Sequence, residues 1–132
     1  MKEISPRLFI GNDCDCVNVG PDWAVVHACK TCHQKRVGYR GSLPASHPNY
    51  LIYEEGFHLY LNLVDMEREF LPKFTHPIMQ VAFRFLGSHH KKHNVLVHCN
   101  QGYSRSPAIG LLWLARQNSI RNYATWHQQS AI

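Results

Sequence analysis

The segment NVLVHCNQGYSRSP, residues 94–107, decides the fold. Its first part, Asn94-Val95-Leu96-Val97-His98, has the near-continuous apolar character of a buried strand. Residues 106–117 are apolar on nearly every side, which predicts a central, buried helix. The loop between them therefore lies at the carboxyl end of a strand and the amino end of a helix. Free N–H groups and the helix dipole make such a place an anion site. Gly102 permits the backbone curl of an anion nest, and Pro107 gives up no needed donor in the first helical turn. At one end of the loop stands a thiol, Cys99, and at the other a guanidinium, Arg105.

Outward from this segment, residues 7–10, 23–27, 50–53 and 57–61 read as strands. Pro72 to about His90 reads as a helix whose apolar face is Phe74, Ile78, Val81, Ala82, Phe85 and Leu86. Residues 33–49, with Gly38, Gly41, Pro44 and Pro48, read mostly as loop, and 118–132 as a last short helix. The expected fold is α/β: a central, mostly parallel, twisted sheet of four to five strands, with helices on both faces. The strand at 23–27 is expected to run parallel to that at 94–98. With 132 residues the chain is expected to be a single domain, 1–132.

The net charge is +5 and the basic residues are scattered, which favours anionic partners but not a nucleic-acid stripe. No apolar run reaches the length of a membrane span, and the first residues lack a secretion signal. A cytoplasmic protein without nucleic-acid or membrane partners is expected. No cofactor and no metal is expected.

The loop's residues imply a chemistry. A planar guanidinium grips two oxygens of a phosphate. The same positive field lowers a thiol pKa from about 8.5 into the range of roughly 3.5–7.5. A thiolate below a bound phosphate is placed to attack phosphorus, giving a two-step transfer through a phosphocysteine. The segment His98-Cys99-Asn100-Gln101-Gly102-Tyr103-Ser104-Arg105-Ser106-Pro107 resembles the signature of the cysteine-based protein tyrosine phosphatases, in their dual-specificity branch. The resemblance extends, less sharply, to Ser5–Gly11 and Leu61–Asp65, and the regions 27–30 and 38–39 resemble small bacterial or phage members. It implies that Cys99 is the nucleophile and Arg105 the phosphate clamp, with 100–105 binding phosphate through Asn100, Gln101, Gly102, Tyr103, Ser104 and Arg105. It implies that Ser106 helps the thiolate leave and that His98 supports the cysteine by hydrogen bonding.

A proton donor for the leaving oxygen is also required. Asp65, between a strand and the 72–90 helix, is the expected acid, and Glu67 and Glu69 are the competing candidates. The loop interior carries no further Lys or Arg, whereas members of the resembled family that act on phosphoinositides or RNA 5′-triphosphates tend to add basic residues there, so the resemblance implies a phosphoprotein substrate. The alternatives are a phosphate-recognising module without activity, and an enzyme acting on phosphoinositides or RNA 5′-phosphates.

Five cysteines without a signal peptide do not suggest a disulfide framework. Cys29-Lys30-Thr31-Cys32-His33 matches the haem-attachment pattern, which normally follows export and is set aside. Cys14 and Cys16 together with Cys29 and Cys32 make a loosely spaced four-thiolate zinc pattern, less favoured than small residues near loops. Cys29, or failing that Cys32, is the candidate redox partner of Cys99, since it follows a strand expected to end beside the strand that precedes Cys99. A resolving cysteine in some phosphatases of the family points the same way.

Overall fold

The computed structural model describes residues 1–63, 72–99 and 108–117. In chain order they form β1 (Lys2–Ser5), β2 (Leu8–Gly11), a 3-10 turn (Asp15–Val17), β3 (Ala24–His27), α1 (Lys30–Val37), β4 (Ile52–Glu55), β5 (His58–Leu61), α2 (Pro72–His89), β6 (Val95–His98) and a helix over 108–117, called α3. The strands make one sheet in the order β1-β2-β6-β3-β5-β4. The two strands buried at every residue, β3 and β6, lie side by side at its centre. They are parallel, as expected, and in register from Ala24↔Val95 to His27↔His98.

The sheet differs from expectation in size and direction: it has six strands and is mixed. Pairing is parallel for β2·β6, β6·β3 and β3·β5, and antiparallel for β1·β2 and β4·β5. The physical reason is connection length. Two-residue links, Pro6-Arg7 and Gly56-Phe57, fold the edge strands back on their neighbours, and tight links allow only antiparallel pairing. Strand β1 escapes a search for apolar alternation because two of its four residues are exposed and two half-buried. A further correction concerns 33–49. Its start belongs to α1, a helix with one buried residue, His33, and hence no apolar face to read. Its stop is legible: Lys35 and Arg36 occupy the last turn, and Gly38 closes it at φ 90°, with its N–H donating to Gln34 O at 2.8 Å.

Period-two alternation sorts the central strands onto two faces. Val26, Leu59 and Val97 join Ile78, Ala82 and Phe85 of α2 and Trp113 of α3 in one core cluster. Of the α2 face that the helical spacing predicts, Ile78, Ala82, Phe85 and Leu86 are buried and Val81 packs against them, while the side chain of Phe74 lies outside the described residues. Close approach of α3 to the sheet edge depends on Gly110, where a Cβ would stand 2.9 Å from Ile4 Cδ1 and 3.4 Å from Ile10 Cγ2. The opposite face receives His27, His98 and Tyr60, and there the 3-10 turn and α1 approach through Cys16 and Cys32. Among the described residues, no helix is long and apolar enough to cross a membrane.

Phe85 is 2 % exposed at the centre of the α2 contact. Phe85→Ala should lower unfolding free energy by about 3–5 kcal/mol, read from urea denaturation. A loss below about 1 kcal/mol would mean that α2 is not docked as described, since one core methylene alone is worth nearly that.

Candidate functional site

Adjacent residues of an extended chain face opposite ways, so the end of β6 serves two faces of the sheet. Cys99, directly after β6, joins the α2-face core and is 2 % exposed. The backbone there is held from both sides. Ala28 N–H donates to His98 O at 2.8 Å, and Cys99 N–H donates to Gly11 O at 3.3 Å. The sequence-derived nucleophile thus stands at the carboxyl edge of the central strand, the edge where α/β sites are built. The described part of α3 spans residues 108–117. Asp65, with its competitors Glu67 and Glu69, and the whole of Asn100, Gln101, Gly102, Tyr103, Ser104, Arg105 and Ser106 lie outside the described residues.

Cys29 follows β3 at the same sheet edge, and both it and Cys99 are buried cysteines. A hydrogen bond with Cys32 draws the Cys29 thiol down to about 7, against the upward push of burial. His33 is fully buried and engages both ring nitrogens, Nδ1 with Tyr39 Oη at 2.7 Å and Nε2 with Asn49 O at 2.8 Å. That leaves neither nitrogen for a haem iron and ties the 39–49 stretch to α1.

No family model matches the chain, and no curated protein or solved structure matches it. Its chemistry is therefore read from the side chains alone.

The face opposite Cys99 holds a polar cluster in an otherwise apolar sheet. His27 Nδ1 and His98 Nε2 share a hydrogen bond at 2.7 Å, and Cys32 Sγ lies 3.9 Å from the same His98 nitrogen. Both rings are buried, His98 fully and His27 to 5 % exposure. Cys16 brings a second sulfur from the 3-10 turn, and one donor atom from each of the four residues lies within 4.8 Å of all the others. The His27 ring is fixed from two sides. It stacks on Tyr60 at 4.3 Å and 3° between planes, and its Nε2 meets His58 Nδ1 at 2.9 Å. His98 Nδ1 is buried without a hydrogen-bond partner among the described residues.

These groups perturb one another. Hydrogen bonding from Cys32, then from His27 and His98, holds the Cys16 thiol far below the ordinary thiol range. A protonated Cys16 would instead donate to Asp13 O at 3.4 Å, but the surrounding thiol and imidazoles favour its thiolate. The proton stays on Cys32, whose thiol is pushed up by Cys16, Cys29 and burial. Burial pulls His27 down to about 4. Burial also opposes the charged form of His98, yet the Cys16 hydrogen bond and the charges of Cys29, Cys16 and Cys99 together raise it.

Sequence spacing pairs Cys29 with Cys32 and Cys14 with Cys16, but the structure gathers one cysteine from each pair. Cys14 is exposed, and the remaining donors are the terminal histidines of β3 and β6. The signal was present in the strand pattern: His27 and His98 end the two central strands and share a face.

Tyr39→Phe deprives the buried His33 Nδ1 of its partner. Stability should fall by about 1–3 kcal/mol in denaturant titration, while Tyr53→Phe, at an exposed hydrogen bond, should fall by less. Equal losses in the two variants would show that His33 does not anchor 39–49.

Proposed function

We propose that the chain is a cysteine-dependent phosphatase of dual-specificity type, a cytoplasmic enzyme that hydrolyses phosphate monoesters in proteins. The observation that supports this is the position of Cys99. It directly follows β6, a central strand paired in parallel with β2 and β3, at the carboxyl edge of the sheet, and the next described residues in the chain, 108–117, are helical. In this reading residues 100–107 form the loop whose N–H groups, with the amino end of the following helix, bind an anion.

In the first step the Cys99 thiolate attacks phosphorus and the ester P–O bond breaks. Asp65 delivers its proton to the departing serine, threonine or tyrosine oxygen. Arg105 steadies the equatorial phosphoryl oxygens, whose charge is spread in the transition state. In the second step water attacks phosphocysteine, Asp65 takes the water's proton, and the P–S bond breaks. Ser106 hydrogen-bonds the departing thiolate. Inorganic phosphate leaves and Cys99 is restored. Because such a thiolate is open to peroxide, Cys29 is proposed as the thiol that traps its sulfenic acid as a disulfide, releasing water.

The test is turnover on phosphopeptides, phosphoinositides and 5′-phosphorylated RNA. Phosphopeptides should be hydrolysed, and Cys99→Ser should abolish turnover while vanadate still binds. Multiple turnover by Cys99→Ser protein would sink the phosphocysteine route. Vanadate binding with no turnover of any substrate by the unaltered chain would favour a phosphate-recognising module instead.

Asp65→Asn should slow phosphopeptide hydrolysis by roughly 10²–10⁴, with a smaller loss on aryl phosphates whose leaving groups need little protonation. Should Glu67→Gln or Glu69→Gln show that substrate-dependent pattern in its place, the acid is reassigned. Arg105→Lys keeps the charge but loses the two-pronged grip, so kcat/KM should fall nearly as far as in Arg105→Ala.

A further inference from the structure

We propose that Cys16, His27, Cys32 and His98 form a four-ligand site for a structural zinc ion. The proposal is independent of the phosphatase reading. It stands on convergence: four separate elements, the 3-10 turn, β3, α1 and β6, each deliver one donor to the same place. A tetrahedral zinc, with bonds of about 2.3 Å to sulfur and 2.0–2.1 Å to nitrogen, sets neighbouring donors roughly 3.3–3.8 Å apart. The observed donors all lie within 4.8 Å of one another. Cys32 Sγ, 3.9 Å from His98 Nε2, has to close in slightly, and the two nitrogens, at 2.7 Å, have to part.

The cluster is costly without an ion. Two buried imidazoles and two cysteines crowd one another: the rings share a 2.7 Å hydrogen bond, Cys32 Sγ lies 3.9 Å from His98 Nε2, Cys16 is hydrogen-bonded to Cys32 and to both rings, and His98 Nδ1 has no hydrogen-bond partner among the described residues. Imperfectly satisfied polar groups in such a setting are destabilising. A cation gives every inner lone pair a partner. Two soft thiolates with two imidazoles in a tetrahedral arrangement select zinc over magnesium or calcium. All four positions are filled by protein, the closed arrangement of a structural rather than a catalytic zinc. Binding frees the remaining thiol and imidazole protons to solvent.

The surroundings match as well. With Nδ1 on the metal, His27 carries its proton on Nε2 and donates it to His58 Nδ1, 2.9 Å away. Metal-bound histidines are oriented by such a partner. Tyr60 stacks on the other side of the ring. A cavity of ≈ 320 Å³, lined in part by Asp13, Thr31 and Lys35, opens over Cys16, His27 and Cys32 and supplies a path for the ion.

The experiment uses the full chain. Purified protein should hold one zinc per chain by elemental analysis, and chelation should lower its melting temperature. Cobalt(II) added to the chelated protein should give the ligand-field bands of a tetrahedral ion together with thiolate-to-cobalt charge transfer. Cys16→Ser and His27→Gln should weaken cobalt binding by more than the roughly 10–100-fold expected of His58→Phe, which removes only the orienting partner. Cys14→Ser and Cys29→Ser should leave affinity unchanged. Because ligand variants are prone to misfold, the unaltered protein decides: no stoichiometric zinc on titration, or cobalt uptake without charge transfer, overturns the site. Stoichiometric iron or copper in place of zinc overturns the choice of metal. Loss of binding in Cys14→Ser and Cys29→Ser with retention in His27→Gln points to a four-thiolate site and overturns this ligand set.

Discussion

The parallel pairing of β3 with β6, in register at His27↔His98, is the constraint that sets the remaining geometry. A strand turns successive side chains to opposite faces. Once Val97 is committed to the α2 core, His98 must face the other way and Cys99 must return. The same parity places Val26 in the core and His27 beside His98. One register thus sets a thiol on one face and a pair of imidazoles on the other, one residue apart along the chain. A slip by a single residue would send both histidines into the apolar core and the valines into the polar cluster, an exchange the burial cost forbids.

Where periodicity was strong, the sequence was a good guide. Ile78, Ala82, Phe85 and Leu86 recur at helical spacing and form the buried face of α2, and the apolar runs 24–27 and 95–98 are the central strands. Elements with no apolar face were the ones missed. β1 is an edge strand held by backbone pairing to β2, and α1 is held by its contact with β5 and by His33 rather than by an apolar stripe. Of the two outer antiparallel strands, β4 was legible as the run at 50–53, displaced by two residues, and β1 was not. Pro6 before Arg7, which takes φ 65°, fits a tight reversal that a strand search does not see.

The cysteines show a different limit. Local spacing joins Cys29 to Cys32 and Cys14 to Cys16, because sequence neighbours are what spacing displays. A site assembled across a sheet draws instead on residues far apart in the chain, here positions 16, 27, 32 and 98. Helical phase separates the members of a pair. Cys29 is the extended residue before α1, whereas Cys32 lies within its first turn and points to His98. The histidines were visible only as strand ends.

The proposed metal site and the proposed catalytic thiol share a backbone, but they need not share electrostatics. A zinc ion bound by two thiolates and two neutral imidazoles has no net charge, since two negative sulfurs balance the metal. Such a centre adds little positive field at Cys99, on the far face of the sheet. In the proposed enzyme, stabilisation of a Cys99 thiolate would then fall to the N–H groups of residues 100–107 and to Arg105. The centre would act mechanically instead. It ties the 3-10 turn and α1 to the ends of β3 and β6, and so fixes the peptide from which Cys99 departs. The hydrogen bonds Ala28 N–H to His98 O and Cys99 N–H to Gly11 O already hold that peptide in the sheet. A ligand at His98 would remove the remaining freedom of its side chain. With the strand end rigid, a phosphate-binding loop after it would need to order only itself, and the entropy of fixing its anchor would be met by folding rather than by substrate binding.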